Sequence, residues 1–410
     1  MKKFCIFSII ILLVLQSCVK EVKPTDFAAD EIKSGKPPAD PGSAVFQWQK
    51  CYGSSAMESG NAIAVNSTND GYFVAGVTEG NNGDVLANHG GQDAWVIKIS
   101  LTGQIIKRIA IGGSGADQAN AVVATGDGGC LVVGATESQD GDGEGNHGGA
   151  DLLLVKLSGD LEVQWKKTIG GSGYDKGFAL ITTTDNGYAI AGQTGSNDGD
   201  LLGVTNAGVN SNGKQWLIKL DQFGNIEWQN VFIVSGAKDD VGYALTQTAD
   251  GGYSVTGRTL NNANNADISV VHTGNDGTVM WSRTIDGAAS AGDVGFGITT
   301  SNSDTGSVVV GYINVNTAVA IKLKKDGKTA WQTAIQGGPG TMGQGRSIIP
   351  VDMGYIVTGF TNSKNGDIIA TKGGIDMFVL KLTESGAKIV ANVLGGKSDD
   401  KGLNIVKTID

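Results

Sequence analysis

The sequence predicts an all-β protein built as a β-propeller of four-stranded blades, and three observations lead to this fold class. A short apolar run that ends in glycine recurs along the chain, at Gly76, Gly134, Gly192, Gly257, Gly311 and Gly359. Successive glycines lie 58, 58, 65, 54 and 48 residues apart, and a regular period of this kind indicates a repeat architecture. Each repeat contains short β-branched or aromatic segments bounded by Gly, Asn, Asp or Ser, which is typical of strands joined by tight turns.

Each repeat contains four such segments, which we name A, B, C and D. In the third repeat they are FALITT, YAIAG, QWLIKL and IEWQN. Asp-Gly or Asn-Gly joins A to B in several repeats, as at Asn186 and Gly187, and these residues tolerate the positive φ angles that tight hairpins require. Four short strands per repeat, repeated about six times, is the pattern of a propeller.

The repeats resemble bacterial β-propeller repeats that are common in surface and secreted proteins of Bacteroidota. Three motifs carry the resemblance, GG-x-G-x-D-x-G, DGGY-x-(I/V)-x-G-x-T and D-x-W-(V/L)-I-K-L, and together they cover residues 45–410. The resemblance implies the fold. It implies no particular activity, because propellers of one architecture serve many functions.

The two ends of the repeat region do not match. A lone D segment at 46–52 comes first, six A-B-C-D sets follow, and the chain stops after one further A segment at 402–410. Ring closure normally pairs N-terminal and C-terminal strands in one blade. We therefore expect a seven-bladed propeller whose closing blade lacks its B and C strands because the chain is truncated, since proteins usually avoid unpaired strand edges. A six-bladed ring with two spare edge strands is the alternative.

Residues 1–17 are predicted to be a signal peptide. Lys2 and Lys3 precede the apolar run FCIFSIIILLVL, which is too short for a comfortable membrane span. The sequence LQSC resembles a lipoprotein processing site, so we expect lipid attachment at Cys18 and export to the cell envelope as an outer-membrane lipoprotein that faces either the periplasm or the cell surface. An ordinary secretory signal is the alternative. Residues 18–44, rich in proline and charge, are expected to form a flexible tether, and residues 45–410 the propeller.

The remaining cysteines indicate free thiols, and the net charge argues against two classes of partner. Cys5 would leave with the signal peptide, and Cys51 and Cys130 lie in strand patterns of different repeats, so both are predicted to be buried free thiols. The formal net charge of −10 argues against a nucleic-acid partner and against adhesion to anionic lipid.

Six acidic residues recur at the start of the A segments, two positions before a glycine or alanine. Carboxylates at one end of a central channel could form a cation or polyol site. Their recurrence in nearly every repeat favours a structural role instead, in which each carboxylate accepts backbone N–H groups of its own turn. The six residues are Glu58, Asp117, Asp175, Asp240, Asp293 and Asp400.

The loop at 138–151 is a candidate calcium site. Asp140, Asp142 and Glu144 stand at alternate positions, and Gly145 and Asp151 follow them. Hard cations take several oxygen ligands around a sharp glycine turn. Because strands flank the loop and the sister loops keep only part of this set, a turn stabilised by its own side chains is the preferred interpretation.

The tryptophans and histidines mostly recur at fixed positions of the repeat. Five tryptophans occupy the D segments, and Trp95 and Trp216 occupy C segments, which indicates packing between blades rather than a platform for sugars. His89 and His147 share one loop position, which indicates a role in a turn, and His272 stands apart. No repeat offers a metal triad or a Ser/His/Asp set, so the sequence predicts no catalytic residue, no metal site and no cofactor.

These observations predict a non-enzymatic, lipid-anchored propeller that acts as a binding or scaffold module for another envelope protein. An extracellular glycan-binding lipoprotein and an enzyme are the alternatives. Glycan binding would need aromatic residues outside the repeat positions, of which Tyr174, Tyr243 and Phe223 are available. The insertion before Trp216 is a place where specificity is expected, since binding residues concentrate on variable loops.

Overall fold

The protein folds into four-stranded antiparallel sheets, which confirms the predicted all-β propeller of four-stranded blades. The computed structural model describes residues 2–9, 12–19, 46–208, 213–234, 239–261, 265–287, 292–335, 341–363, 366 and 373–408. Six sheets are each formed by four consecutive strands in the order A-B-C-D. A further four-stranded sheet joins N-terminal and C-terminal strands in the order β28 (Asp400–Lys407), β2 (Leu12–Val19), β1 (Lys2–Ile9) and β3 (Phe46–Tyr52), and we name it the closing sheet.

The strands follow the A-B-C-D order, and the closing-sheet member stands last in each series. The A strands are β4 (Glu58–Val65), β8 (Asp117–Ala124), β12 (Asp175–Thr182), β16 (Asp239–Gln247), β20 (Val294–Thr300), β24 (Gly343–Val351) and β28 (Asp400–Lys407). The B strands are β5 (Gly71–Thr78), β9 (Cys130–Thr136), β13 (Tyr188–Thr194), β17 (Tyr253–Leu260), β21 (Ser307–Ile313), β25 (Gly354–Thr361) and β2 (Leu12–Val19). The C strands are β6 (Asp93–Ser100), β10 (Leu152–Leu157), β14 (Lys214–Leu220), β18 (Ala266–Thr273), β22 (Thr317–Leu323), β26 (Asp376–Thr383) and β1 (Lys2–Ile9). The D strands are β7 (Ile105–Ile111), β11 (Val163–Ile169), β15 (Ile226–Phe232), β19 (Val279–Ile285), β23 (Thr329–Ile335), β27 (Lys388–Leu394) and β3 (Phe46–Tyr52).

The A strands surround the central axis. Each contacts the A strand of the next blade, and β28 contacts β4, so the ring is closed. In the six sheets outside the closing sheet, the B and C strands are the most buried, and every residue of β14 is buried. One apolar cluster joins Leu131 and Leu154 of one blade to Ile190 and Trp216 of the next, so the hydrophobic core lies between blades and burial of apolar area holds them together.

The predicted packing role of the tryptophans is confirmed. Trp95 and Trp216 are buried. Each D-strand tryptophan lies against a turn glycine of the next blade, and the indole N–H of Trp281 also donates to the carbonyl of Lys325 at 2.8 Å. The five pairs are Trp48 with Gly103, Trp165 with Gly224, Trp228 with Gly277, Trp281 with Gly327 and Trp331 with Gly386.

The closing sheet differs from the expectation that its B and C strands are missing. Strands β2 and β1, which belong to the predicted signal peptide and its processing site, occupy those two positions, and β2 pairs with β28 while β1 pairs with β3. The predicted tether lies outside the described residues from residue 20 onwards.

This pairing also changes the state of one cysteine. Cys51 is disulfide-bonded, and the residue opposite it in the register of β1 and β3 is Cys5. The prediction of a free thiol at Cys51 is therefore wrong, because the N-terminal strand brings a second cysteine alongside. Cys130 is a buried free thiol as predicted, and burial raises its pKa to about 12.

Helical structure is slight in the part of the chain that is described. Gly141–Gly143 and Gly199–Leu201 form single 3-10 turns. A helix of the length and apolarity needed to cross a membrane is not found among those residues.

Candidate functional site

Every A strand carries a β-bulge at the same place. The register between A and B strands skips one A-strand residue in each sheet, so that residue has no partner in the B strand. A bulge bends the strand locally and re-aims the side chain of the extra residue. The seven bulged residues are Asn61, Asn120, Phe178, Tyr243, Phe296, Arg346 and Leu403.

All seven bulged residues line one cavity on the propeller axis. The cavity has a volume of about 620 Å³ and its other lining residues also come from the A strands of all seven sheets. Each bulged side chain is half-buried. Because the bulge recurs in every blade, the fold itself supplies this ring of side chains, and we name it the bulge ring.

The chemistry of the bulged residues changes around the ring. The position before each bulge is always glycine or alanine, whereas the bulge itself holds amide, aromatic, cationic or aliphatic side chains. Asn61 and Asn120 form an amide side, and their Nδ2 groups donate to backbone carbonyls of the next blade at 2.9 and 2.8 Å. The opposite side is aromatic and cationic.

The aromatic side is a continuous chain of rings. The ring centres of Phe178 and Tyr243 are 5.3 Å apart, those of Tyr243 and Phe296 are 5.4 Å apart, and those of Phe296 and Tyr312 are 5.9 Å apart. The guanidinium carbon of Arg346 lies 3.7 Å from the centre of the Phe296 ring, a cation–π contact. Burial raises the pKa of both Tyr243 and Tyr312, so both phenols stay protonated and can donate hydrogen bonds.

The recurrent acidic residues do not belong to this cavity. Asp175 is fully buried, and its Oδ2 accepts the Gly171 N–H at 2.9 Å and the Ser196 hydroxyl at 2.6 Å. The equivalent Asp117 accepts from Gly113 at 2.8 Å. None of the six carboxylates lines the described cavity, and the interpretation of these residues as acceptors for their own turns is confirmed.

The carboxylates of the candidate calcium loop also accept hydrogen bonds or form ion pairs with protein groups. Asp140 accepts the Ser114 N–H at 2.7 Å, and Asp142 pairs with the Lys166 ammonium at 3.2 Å. Asp151 accepts a hydrogen bond from the backbone N–H of His147 at 2.9 Å. Its Oδ2 also lies 2.7 Å from the ring Nδ1 of the same histidine. Only the contact between Asp151 and His147 lies within the loop, so stabilisation by the loop's own side chains is confirmed at Asp151, whereas Asp140 and Asp142 bind neighbouring segments.

His89 repeats the same arrangement with Asp93, at 2.8 Å between Nδ1 and Oδ2. The predicted turn role of both loop histidines is confirmed. Of the aromatic residues considered for glycan binding, Tyr174 and Phe223 are 62% and 66% exposed, and Tyr243 lines the axial cavity. The three do not form one surface.

The fold is similar to that of solved propellers over the whole chain. The periplasmic gluconolactonase of Pseudomonas aeruginosa superposes with a TM-score of 0.52 at 12% identity, covering 100% of this chain and 99% of that one. A candidate 6-phosphogluconolactonase of Bacteroides fragilis superposes with a TM-score of 0.51 at 10% identity, covering 100% and 98%. Both are named as lactonases. No protein-family model and no curated protein matches the sequence.

These neighbours correct the function expected from the sequence. A non-enzymatic scaffold for another envelope protein, with glycan binding as the alternative, is contradicted because lactonases occupy the same fold from end to end. At 12% and 10% identity the similarity is one of fold, and it assigns no reaction to this chain.

Sequence reasoning missed Arg346, Phe178 and Phe296. Tyr243 was singled out only as an aromatic residue outside the repeat. The signal that could have found them was present, because the residue after the small A-strand residue differs in chemistry between repeats whereas its neighbours recur. Variation of residue type at one fixed position inside the A strands indicates the candidate site, whereas the insertion before Trp216 does not.

Proposed function

We propose that the axial cavity binds a small organic molecule and is the functional centre of this chain. The single observation that supports this most strongly is the bulge ring, in which every blade contributes one residue to the cavity and the seven residues comprise two amides, three aromatics, one cation and one aliphatic side chain. A structural role would favour repetition of the residue, as it does at the D-strand tryptophans. The volume of about 620 Å³ suits a ligand of drug or metabolite size.

The residues that line this cavity suit the binding of a molecule better than its chemical conversion. Among the described lining residues there is no carboxylate or imidazole that could act as a general base. The two neighbours are named for lactones of sugar acids, so such lactones and the corresponding acids are the first compounds to test for hydrolysis and for binding.

The test is calorimetric titration of the full chain with a panel of sugars, sugar acids, lactones and aromatic acids, together with a hydrolysis assay on the lactones. The blocking variant is Asn120→Phe, because Phe178 holds the equivalent bulge in the next blade and the backbone there accepts an aromatic residue. The control is Phe223→Ala, on an exposed turn residue.

We expect saturable binding that Asn120→Phe weakens at least tenfold and that Phe223→Ala leaves unchanged. Hydrolysis blocked by the same variant would make the chain an enzyme, and binding without hydrolysis would make it a receptor. Failure of every compound to bind, or equal binding by the blocked variant, would refute the axial site.

We also propose that the chain is a cell-envelope lipoprotein of the Bacteroidota surface-propeller type, with lipid attached at Cys18. The charged start, the short apolar run and the LQSC sequence support this. Metabolic labelling with a tagged fatty acid should label the chain and not its Cys18→Ala variant. Export of an unlabelled chain would contradict the proposal.

A further inference from the structure

Arg346 is a cation that has no carboxylate partner among the described residues. It is the only charged side chain among the described lining residues of the axial cavity. The described salt bridges include Arg258 with Asp239 at 2.9 Å and none with Arg346. Burial lowers the pKa of Arg346 to about 10, so it still carries its charge at neutral pH.

A half-buried charge without a described counter-ion is costly, because the surrounding protein solvates it less well than water does. Stacking of Arg346 on Phe296 covers one face of the guanidinium and leaves its planar N–H donors to other partners. The neighbouring phenols of Tyr243 and Tyr312 carry no negative charge at neutral pH, since burial raises their pKa. The local charge of this wall is therefore positive in a chain whose net charge is −10.

The surroundings of Arg346 also specify the shape of a partner. The rings of Phe178, Tyr243 and Phe296 form an apolar wall beside the guanidinium, and flat or cyclic molecules stack well on such walls. The amide groups of Asn61 and Asn120 lie across the axis and can hydrogen-bond to polar substituents.

We propose that the ligand of this cavity is a cyclic organic carboxylate, an inference that rests on the small-molecule site proposed above. The carboxylate accepts from the Arg346 guanidinium, in the two-pronged geometry that favours arginine over lysine. The ring of the ligand lies against Phe178, Tyr243 and Phe296. A sugar acid and an aromatic acid share this chemistry, and the test separates them.

The test uses acid and neutral compounds of matched shape, titrated calorimetrically into the full chain. Glucuronate is compared with glucose, and benzoate with benzamide. The variant Arg346→Leu removes the charge and places at this bulge the residue that occupies the same position in β28, Leu403. The control Arg108→Leu removes an equal charge from β7, an outer strand. Thermal unfolding of each variant verifies that it is folded.

We expect at least one acid to bind about tenfold or more tightly than its neutral counterpart, as charge-assisted hydrogen bonds allow. Arg346→Leu should abolish this preference, because the charged hydrogen-bond donor is lost. Arg108→Leu should leave the preference unchanged. The pair that shows the preference identifies a sugar acid or an aromatic acid.

Three results would overturn the inference. Equal affinity for acid and neutral compounds, with binding still blocked by Asn120→Phe, would refute the carboxylate and leave the axial site intact. Acid preference that survives in Arg346→Leu would assign the charge contact to another residue. Absence of binding by all four compounds would overturn the carboxylate assignment, and the wider panel above would then decide whether the axial site itself fails.

Discussion

The backbone at Gly192 lies so close to Lys176 that a Cβ atom added to Gly192 would be 2.0 Å from the Lys176 carbonyl oxygen. Gly192 is the glycine that ends the apolar run of its repeat, and we call the six such residues anchor glycines. It pairs with Gly177, the residue just before the Phe178 bulge. The anchor glycines of the other five repeats would bring a Cβ equally close to an A-strand carbonyl, at 1.7–1.9 Å. The glycine that defines the repeat is thus required by the bulge that builds the cavity.

Replacement of Gly192 by alanine should lower the free energy of unfolding by about 1–3 kcal/mol, because one strand must shift to admit the methyl group. Denaturant titration measures the change. Gly126→Ala is the matched control, since a Cβ there would meet no atom within 4 Å, and its effect should stay within about 0.5 kcal/mol. Equal stability of the two variants would show that the close approach relaxes freely.

The Lys219 ammonium is buried and lies 2.8 Å from both Asp185 and Glu227. Asp185→Asn should cost about 1 kcal/mol of unfolding free energy, because one charge-assisted hydrogen bond is weakened while Glu227 remains. Adding Glu227→Gln should cost more than the sum of the single changes, since the buried ammonium then has no carboxylate.

The exposed pair Lys328 and Asp326, 3.0 Å apart, provides the control for that cycle. Asp326→Asn should change stability by less than about 0.5 kcal/mol. Simple additivity at Lys219, measured by the same denaturant titrations, would contradict the expected coupling.

Stability should rise as the pH is lowered from neutral into mild acid. Burial raises the pKa of Asp93 and Asp151 above the ordinary aspartate value, although hydrogen bonds from His89 and His147 oppose the shift. A pKa raised by folding contributes stability at low pH, and that contribution is lost as the pH rises through the raised pKa. Chemical denaturation between pH 8 and pH 4 measures the slope, and Asp93→Asn with Asp151→Asn should flatten it.

In stronger acid the stability should fall again. Burial tends to raise the pKa of Asp127, but hydrogen bonds from Lys156 and Thr125 outweigh burial and lower this pKa to about 2. A pKa lowered by folding contributes stability above the unfolded value of about 3.9, and that contribution is lost as the pH falls through about 2. Denaturation midpoints at pH 4 and pH 2 give the loss, which Asp127→Asn should reduce. A midpoint that keeps rising to pH 2 would refute this balance.

A chain that starts at residue 18 should have a weakened closing sheet, because it lacks β1 and most of β2. Hydrogen exchange of the β28 amides should then be faster than in the full chain, while the amides of β12, in a blade that keeps all four strands, should be unaffected. Equal protection of β28 in both chains would show that another segment takes the place of β2.

Much of the fold could be predicted from the sequence, because each strand type is set by local pattern. The glycine-terminated B strands and the tryptophan-bearing D strands lie where their repeats place them. The bulge ring could not be predicted in the same way, since Arg346 and Phe178 are 168 residues apart and meet only when the ring closes. The occupants of the closing sheet were also missed, because the apolar run at 4–15 is equally suited to a signal peptide and to two buried strands.

The closing sheet has a kinetic consequence. It pairs β2 with β28, so in a chain that keeps residues 1–17 two strands that lie far apart in the sequence must meet to complete the sheet. Contacts this distant in sequence form slowly, because a long loop must close before any hydrogen bond is gained. Six blades can assemble from neighbouring strands while the ring is still open. Completion of the axial cavity, whose wall includes Leu403 of β28, is therefore expected to be the last step of folding, and ligand should bind only after it.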